Sequence, residues 1–344
     1  MSAPSAAAAT SELRTIDAIR AALRDELAAD DSVVVLGEDV TVGGPFGATA
    51  GLAEEFGATR IRNTPISEGT IVGLAVGAAA RGLRPIVEIM FIDFATLAMD
   101  QLVNHAAKLR YMSGGQLTVP LTIRVQGGAS GAFGAHHSQS LEAWFAHVPG
   151  LRVVAPSTPA DAYGLLRAAI RDPDPVLVIE HRALYWGRGP VETGDAAIVP
   201  IGRAAIRRPG RDVTLISYSR MAQTTLAAAD LLAADGVEAE VLDLRTISPL
   251  DTDAILESVR RTRRAVVAHE AVVPFGVGAE VAATIGTGAF DVLAAPVERV
   301  GAPFAPPPAS PILEAAFVPD AAAIAAAARR TLDAPPRTSV GGGR

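Results

Sequence analysis

Four places along the chain gather side chains suited to moving protons or holding ligands. In NTPISEGTIVGLAVG (residues 63–77) a single acid, Glu68, stands between a proline turn and a glycine-studded apolar run. Pro65 disfavours helix at Thr64, Ser67 is a preferred N-cap type, and an acid in a first turn complements the helix dipole. On pattern alone two readings stay open: a carboxylate that only steadies a helix start, or a partly buried acid that shares a proton with a ligand. In VQGGASGAFGAHHSQS (125–140) glycines clear side chains from a path where a ligand or backbone comes near, and His136 and His137 follow among hydroxyl and amide groups. If extended, the two histidines point to opposite faces and one of them meets a substrate; the alternative is a solvated polar loop. Phe91 and Phe94 sit three apart where an apolar strand gives way to a helix, either as core or as a stacking platform at a strand's carboxyl end. IRDPDP (170–175) sets Asp172 and Asp174 around prolines, a turn that is either solvated or, with backbone carbonyls, able to hold a hard cation.

These residues need a scaffold, and apolar runs of strand length alternating with helical patterns supply it. SVVVLGED (32–39), a helix over 68–82, RPIVEIMF (84–91), a long helix over 94–112 and VPLTIRV (119–125) come first. LRVVAPS (151–157), a helix over 159–171 and PVLVIEH (175–181) continue the pattern of a parallel sheet covered on both faces. It restarts with DVTLISYS (212–219), then helices over 221–235, 251–262 and 276–286 and strands over 237–246, 264–270 and 297–301, with a last helix over 319–332. The expected fold class is α/β with two doubly wound domains, residues 13–190 and 212–334. A Gly-, Pro- and charge-rich linker at 191–211 joins them, and tails at 1–12 and 335–344 lie outside the fold. The prolines of APFAPPPASP (302–311) forbid a helix or central strand there, so a surface arm is expected. Gly69, Gly73 and Gly77 share one helix face at a cost of roughly 1 kcal/mol each relative to alanine, which close approach of another backbone, within the chain or across a subunit seam, must offset.

Composition narrows the function classes. A net charge of −7 over 344 residues offers no basic footprint for nucleic acid or an anionic membrane. With no cysteine there is no disulfide, thiolate metal site or cysteine nucleophile, and a reducing compartment, the cytoplasm, is expected. The first residues lack the basic and apolar regions of a secretory signal. A Walker phosphate loop, a G-x-S-x-G elbow and H-E-x-x-H are all missing, and the partial glycine matches GVGAEV and GTGAF do not make a nucleotide fold.

LGEDV, NTPISE, GLRPIVEIMFIDF, DQLVNHAAKLRYMSGG, HHSQSLEAWFAHVPGLRVVAPSTPADA, AAIRDPDPVLVIEH and DLRTISPLD occur in that order. Together, over residues 12–332, they resemble the beta subunit of the thiamine-diphosphate-dependent decarboxylating component of 2-oxoacid dehydrogenase complexes. The resemblance implies a transketolase-like pyrimidine-binding domain followed by a transketolase carboxy-terminal domain, in an α2β2 heterotetramer with thiamine diphosphate between subunits. It implies that Glu68 holds the aminopyrimidine ring nitrogen, that Phe94 packs on that ring and that Met90 lines its pocket. His137 is implied at the reacting centre, in substrate orientation or in the reaction with lipoyl, with His136 beside it. The family's monovalent-cation loop maps onto carbonyls near Leu121, Ala169 and Ile170 with Asp172; Asp174 stands where some relatives carry asparagine, and potassium is the expected occupant. The family binds magnesium and diphosphate through a GDG motif and a paired asparagine, which this chain lacks, so an alpha subunit is expected to supply them and the chain alone to be inactive. The implied reaction is oxidative decarboxylation, pyruvate foremost, with acyl transfer to a lipoyl acyltransferase core. Acetoin and branched-chain 2-oxoacid dehydrogenase beta subunits are the alternatives, and a non-catalytic module docking that core is the reading from another class. Phe304, where relatives often carry aspartate, departs from the pattern.

Overall fold

The structure, a computed structural model, describes residues 10–334. Its strands begin with Thr10–Arg14 (β1), Val33–Gly37 (β2), Ile61–Asn63 (β3), Arg84–Ile89 (β4), Thr122–Gly127 (β5), Arg152–Val154 (β6), Val176–His181 (β7) and Arg188–Glu192 (β8). Ala205–Arg208 (β9), Val213–Ser217 (β10), Ala239–Asp243 (β11), Thr246–Ser248 (β12), Ala265–Val272 (β13) and Glu298–Ala302 (β14) follow. A seven-stranded sheet is ordered β12-β6-β7-β5-β4-β2-β3, and a five-stranded sheet β14-β13-β10-β11-β9. Within each, the pairings are parallel except at the antiparallel edge strands β12 and β9. This is the expected α/β fold with a doubly wound sheet in each half of the chain.

Sequence explains the layering. Every residue of β5 and of β7 is buried, as strands covered on both faces must be. The helix Thr15–Ala29 buries Ile16, Ile19, Leu23 and Leu27 along one stripe. It lies on the helix Pro159–Arg171, where Arg167 Nε donates to Glu26 Oε1 at 2.6 Å. That second helix starts with Pro159 in its first turn, and the Thr158 hydroxyl accepts from the Asp161 amide at 3.1 Å.

Charge also crosses the first sheet. Arg124 on β5 donates to Glu88 on β4, and to the two Glu180 oxygens on β7 at 2.7 and 2.9 Å. The Tyr185 hydroxyl adds a 2.7 Å hydrogen bond to Glu180. Burial raises the pKa of the Glu88 carboxyl even with Arg124 beside it.

Several expectations change. Thr10–Arg14 is not a tail but a strand paired antiparallel with β8, so the tail expected over 1–12 gives way at Thr10; residues 1–9 and the tail at 335–344 lie outside the described residues. The single helix expected over 94–112 is four pieces: Ile92–Ala95, a 3-10 turn Thr96–Ala98, a π-helical turn Gln101–Ala106, and Ala107–Met112. The reason lies on the neighbouring helix Glu68–Ala80. A Cβ at Gly69 would stand 3.2 Å from the Leu97 carbonyl and one at Gly73 3.3 Å from Gln101 Cγ, so the broken segment moulds itself into the glycine face. Those two glycines therefore serve a crossing within this chain, whereas Gly77 is exposed with nothing near it. The strand expected over 237–246 breaks at Arg245, whose φ of 57° is left-handed, and β12 departs to pair with β6 of the first sheet, tying the domains together. The proline arm carries an unexpected helix, Pro311–Phe317, with Pro311 in its first turn, where a missing N–H costs nothing. Residues 311–333 are long and apolar enough in total to meet the criteria for a membrane span. They form two helices, however, and the second, Ala321–Asp333, buries Ile324, Ala325, Ala327 and Ala328 against the second sheet.

Candidate active site

The Glu68, aromatic and histidine candidates all lie at the carboxyl edge of the first sheet, where parallel α/β sheets bind ligands. β2 ends just before Glu38, and β3 leads through a proline turn to Glu68. β4 runs into Met90–Phe94, β5 into the loop 128–140, and β7 ends at His181 with Arg182 next.

Glu68 opens its helix and is only 6% exposed. Among the described residues no hydrogen bond or ion pair engages its carboxylate. Ser67 does not cap with its hydroxyl as its type suggested; its carbonyl accepts from the Ile71 amide at 2.9 Å instead. The acid nearby is Glu38, half-buried, whose pKa is raised by burial and then by the charges of Glu68 and Asp39. A mostly buried acid beside another acid, with no cation of its own, suits a ligand that brings a proton or a positive ring nitrogen.

His137 is half-buried and wedged between two rings. Phe91 meets it edge-on at 4.8 Å and Phe94 at 5.2 Å, with the two phenyl rings 5.7 Å apart. Phe91 is core, while Phe94 and Met90 keep partial exposure toward the edge. His136, in the turn before, is exposed, and the loop is turned rather than extended. Gln139 Nε2 donates to Asp93 Oδ1 at 2.7 Å and ties the loop's far end to the turn that carries Phe94. Arg182 is buried, with its guanidinium 4.2 Å from the centre of the Phe133 ring and 5.4 Å from that of Phe91, and it donates to the Ser130 carbonyl. Burial lowers its pKa against the pull of nearby carboxylates.

The cation-loop candidates come together at the opposite edge, where β4 and β7 begin. The Ile170 carbonyl accepts from Arg84 at 3.0 Å, the Ala169 carbonyl from the Asp172 amide at 3.2 Å, and the Leu121 carbonyl from the Val176 amide at 2.9 Å. Arg152 faces Asp172 at 3.4 Å and Arg110 pairs with Asp174 at 2.7 Å. Arginines thus already neutralise both carboxylates, and a cation here would rest on the carbonyls' second lone pairs. No cluster of three or more His, Cys, Asp or Glu suited to a metal ion exists among the described residues.

Residues 11–186 match the transketolase pyrimidine-binding domain and residues 202–324 the transketolase C-terminal domain. The chain is 47% identical, across 92% of its length and 96% of the relative's, to the acetoin:2,6-dichlorophenolindophenol oxidoreductase subunit beta of Cupriavidus necator. It is 44% identical, across 94% of its length and 87% of the relative's, to the mitochondrial pyruvate dehydrogenase E1 component subunit beta-2 of Oryza sativa subsp. japonica. The chain belongs to the transketolase-like family of dehydrogenase E1 beta subunits. A solved structure described as a split-gene transketolase, inactive beta4 tetramer, shares the fold of this E1-beta-type chain with a TM-score of 0.76 at 24% identity, covering 94% of this chain and 99% of that one.

Sequence reasoning about this E1 beta subunit missed Glu38, Arg182 and the contacts of the second domain with the loop. Glu38 carried a readable signal, an acid directly after an apolar strand. Arg182 carried none, because its partners Phe91, Phe133 and Ser130 lie at least 49 residues away in sequence.

Proposed function

We propose that this chain is the beta half of a thiamine-diphosphate-dependent 2-oxoacid dehydrogenase, with pyruvate its leading substrate. It acts in the cytoplasm in an α2β2 heterotetramer and passes its acyl unit to the lipoyl group of an acyltransferase core. The observation that carries this reading is Glu68, a buried and unpaired carboxylate at the ligand-binding edge of a pyrimidine-binding domain. When bound, thiamine diphosphate supplies a nucleophilic thiazolium carbon and an electron sink for decarboxylation. Glu68 would share a proton with the pyrimidine ring nitrogen of the bound cofactor. Phe94 packs on the ring, and Met90 fills the pocket beside it. His137, fixed edge-on by Phe91 and Phe94, presents its imidazole to the substrate or the incoming lipoyl group, and His136 stands exposed at the mouth.

The diphosphate and magnesium belong to the alpha subunit, since this chain has no motif for them. Potassium at the loop of Leu121, Ala169, Ile170, Asp172 and Asp174 is structural, away from the chemistry. Identity of 47% to an acetoin-oxidising relative's beta subunit favours acetoin as the second substrate reading. The test is co-expression with an alpha subunit, then dye reduction with pyruvate, acetoin and branched-chain 2-oxoacids in turn. Pyruvate is expected to give the highest kcat/KM, and the chain alone to give no turnover. Turnover by the purified chain without a second polypeptide would overturn the shared-site reading, and no turnover with any substrate by the assembled pair would overturn the enzymatic one.

A further inference from the structure

The loop that carries His137 is an improbable piece of backbone. Gly128, Gly131 and Gly134 have positive φ, and so does Ala132, at 58°, a conformation that a non-glycine residue keeps only where its surroundings impose it. Much of what imposes it comes from the second domain. Glu270 on β13 accepts from the Ala129 amide, and its other oxygen lies 2.9 Å from His181 Nε2. Arg220, the first residue of the helix Arg220–Ala234, donates to the Ala129 carbonyl at 2.8 Å. Glu314, on the short helix of the proline arm, accepts from the Ala132 amide at 2.8 Å. The arm also touches the loop at Gly134, where a Cβ would stand 3.3 Å from Ala309.

We infer that the second domain and its proline arm form an electrostatic clamp, with Glu270, Arg220 and Glu314 as positioning residues that hold the 128–134 backbone and thereby set His137 against Phe91 and Phe94. The functional half of this inference rests on the proposed role of His137; the mechanical half does not. Charge-assisted bonds to backbone groups are stronger than neutral ones, and bonds to both backbone groups of Ala129 and to the amide of Ala132 fix a conformation that the loop's own glycines leave free. The arm is then part of the site rather than a surface ornament.

The experiment compares Glu314→Ala, Glu314→Gln and Arg220→Met in the assembled alpha–beta complex by amide hydrogen exchange and by two rates, dye-linked decarboxylation and reductive acylation of a free lipoyl domain. In Glu314→Ala and Arg220→Met the amides of 128–137 are expected to exchange about tenfold faster, with the strands of the second sheet unchanged. Reductive acylation is expected to fall about tenfold further than dye-linked decarboxylation, and Glu314→Gln, which keeps an acceptor oxygen, to recover most of both. Parental exchange across 128–137 in both charge-removing variants overturns the clamp. Acceleration spread evenly through the second domain, unrelieved in Glu314→Gln, overturns it too, by making the effect one of general stability. His137→Ala in the same assays separates the two halves: parental acylation there refutes the role of His137 while exchange still decides the clamp.

Discussion

Replacing Arg124 with methionine is the sharpest probe of the scaffold beneath the site. The side chains of Arg124, Glu88 and Glu180 are 2%, 4% and 3% exposed, so the variant strands two carboxylates in a dry interior without their cation. Breaking a buried pair from one side costs about 3–5 kcal/mol, because the remaining charge is uncompensated. The cost should depend on pH. Glu88 already has a raised pKa from burial, and without Arg124 it rises further, so as pH falls Glu88 protonates and the penalty shrinks. Urea unfolding midpoints of parent and Arg124→Met at pH 8 and pH 5 measure both effects, and adding Glu88→Gln to Arg124→Met should restore part of the loss. Because β4, β5 and β7 deliver Phe94, His137 and Arg182, activity of the assembled enzyme should fall with the midpoint. A loss under about 1 kcal/mol, or one independent of pH, would refute the view that this triad is dry and tightly coupled.

Glu142 is buried with one oxygen unpartnered, and burial raises its pKa from 4.5 to about 7, with Glu270 adding to the rise. A carboxyl whose folded pKa is raised contributes fully below its unfolded pKa, and that contribution is lost as pH climbs from 4.5 to about 7. Glu142→Gln should therefore be more stable than the parent at pH 8, by as much as about 3 kcal/mol, and level with it near pH 4, as thermal melts will show. At the cation loop, Tm should be higher in potassium chloride than in choline chloride at equal ionic strength. Equal Tm values would leave Arg84, Arg110 and Arg152 as the loop's only counter-charges.

What the sequence made legible follows from how local each cause is. PVLVIEH reads as a buried strand because a parallel strand covered on both faces has to be apolar throughout, and β7 forms there. Glu68 stood out because an acid at the head of a glycine-lined apolar helix is out of place, but its burial and lack of a partner depend on β2, β4 and the segment after Phe94. The helix expected over 94–112 breaks because Leu97 and Gln101 fit a face made by Gly69 and Gly73, information held in a different segment. Arg245 turns the chain toward the first sheet through a left-handed φ that its residue type does not announce. Glu270, Arg220 and Glu314 were invisible because each meets the loop from 91 or more residues away.

In the proposed function, cofactor activation depends on the Glu68 carboxylate. That dependence is tested most directly by Glu68→Gln in the complex reconstituted with its alpha subunit, thiamine diphosphate and magnesium. Gel filtration confirms assembly, and dye reduction with pyruvate, or with whichever substrate the parent prefers, gives the rate. The expected result is an assembled heterotetramer whose kcat is about 100-fold or more below the parent's, the scale of losing a positioned general acid–base group. An assembled complex with parental kcat would contradict it.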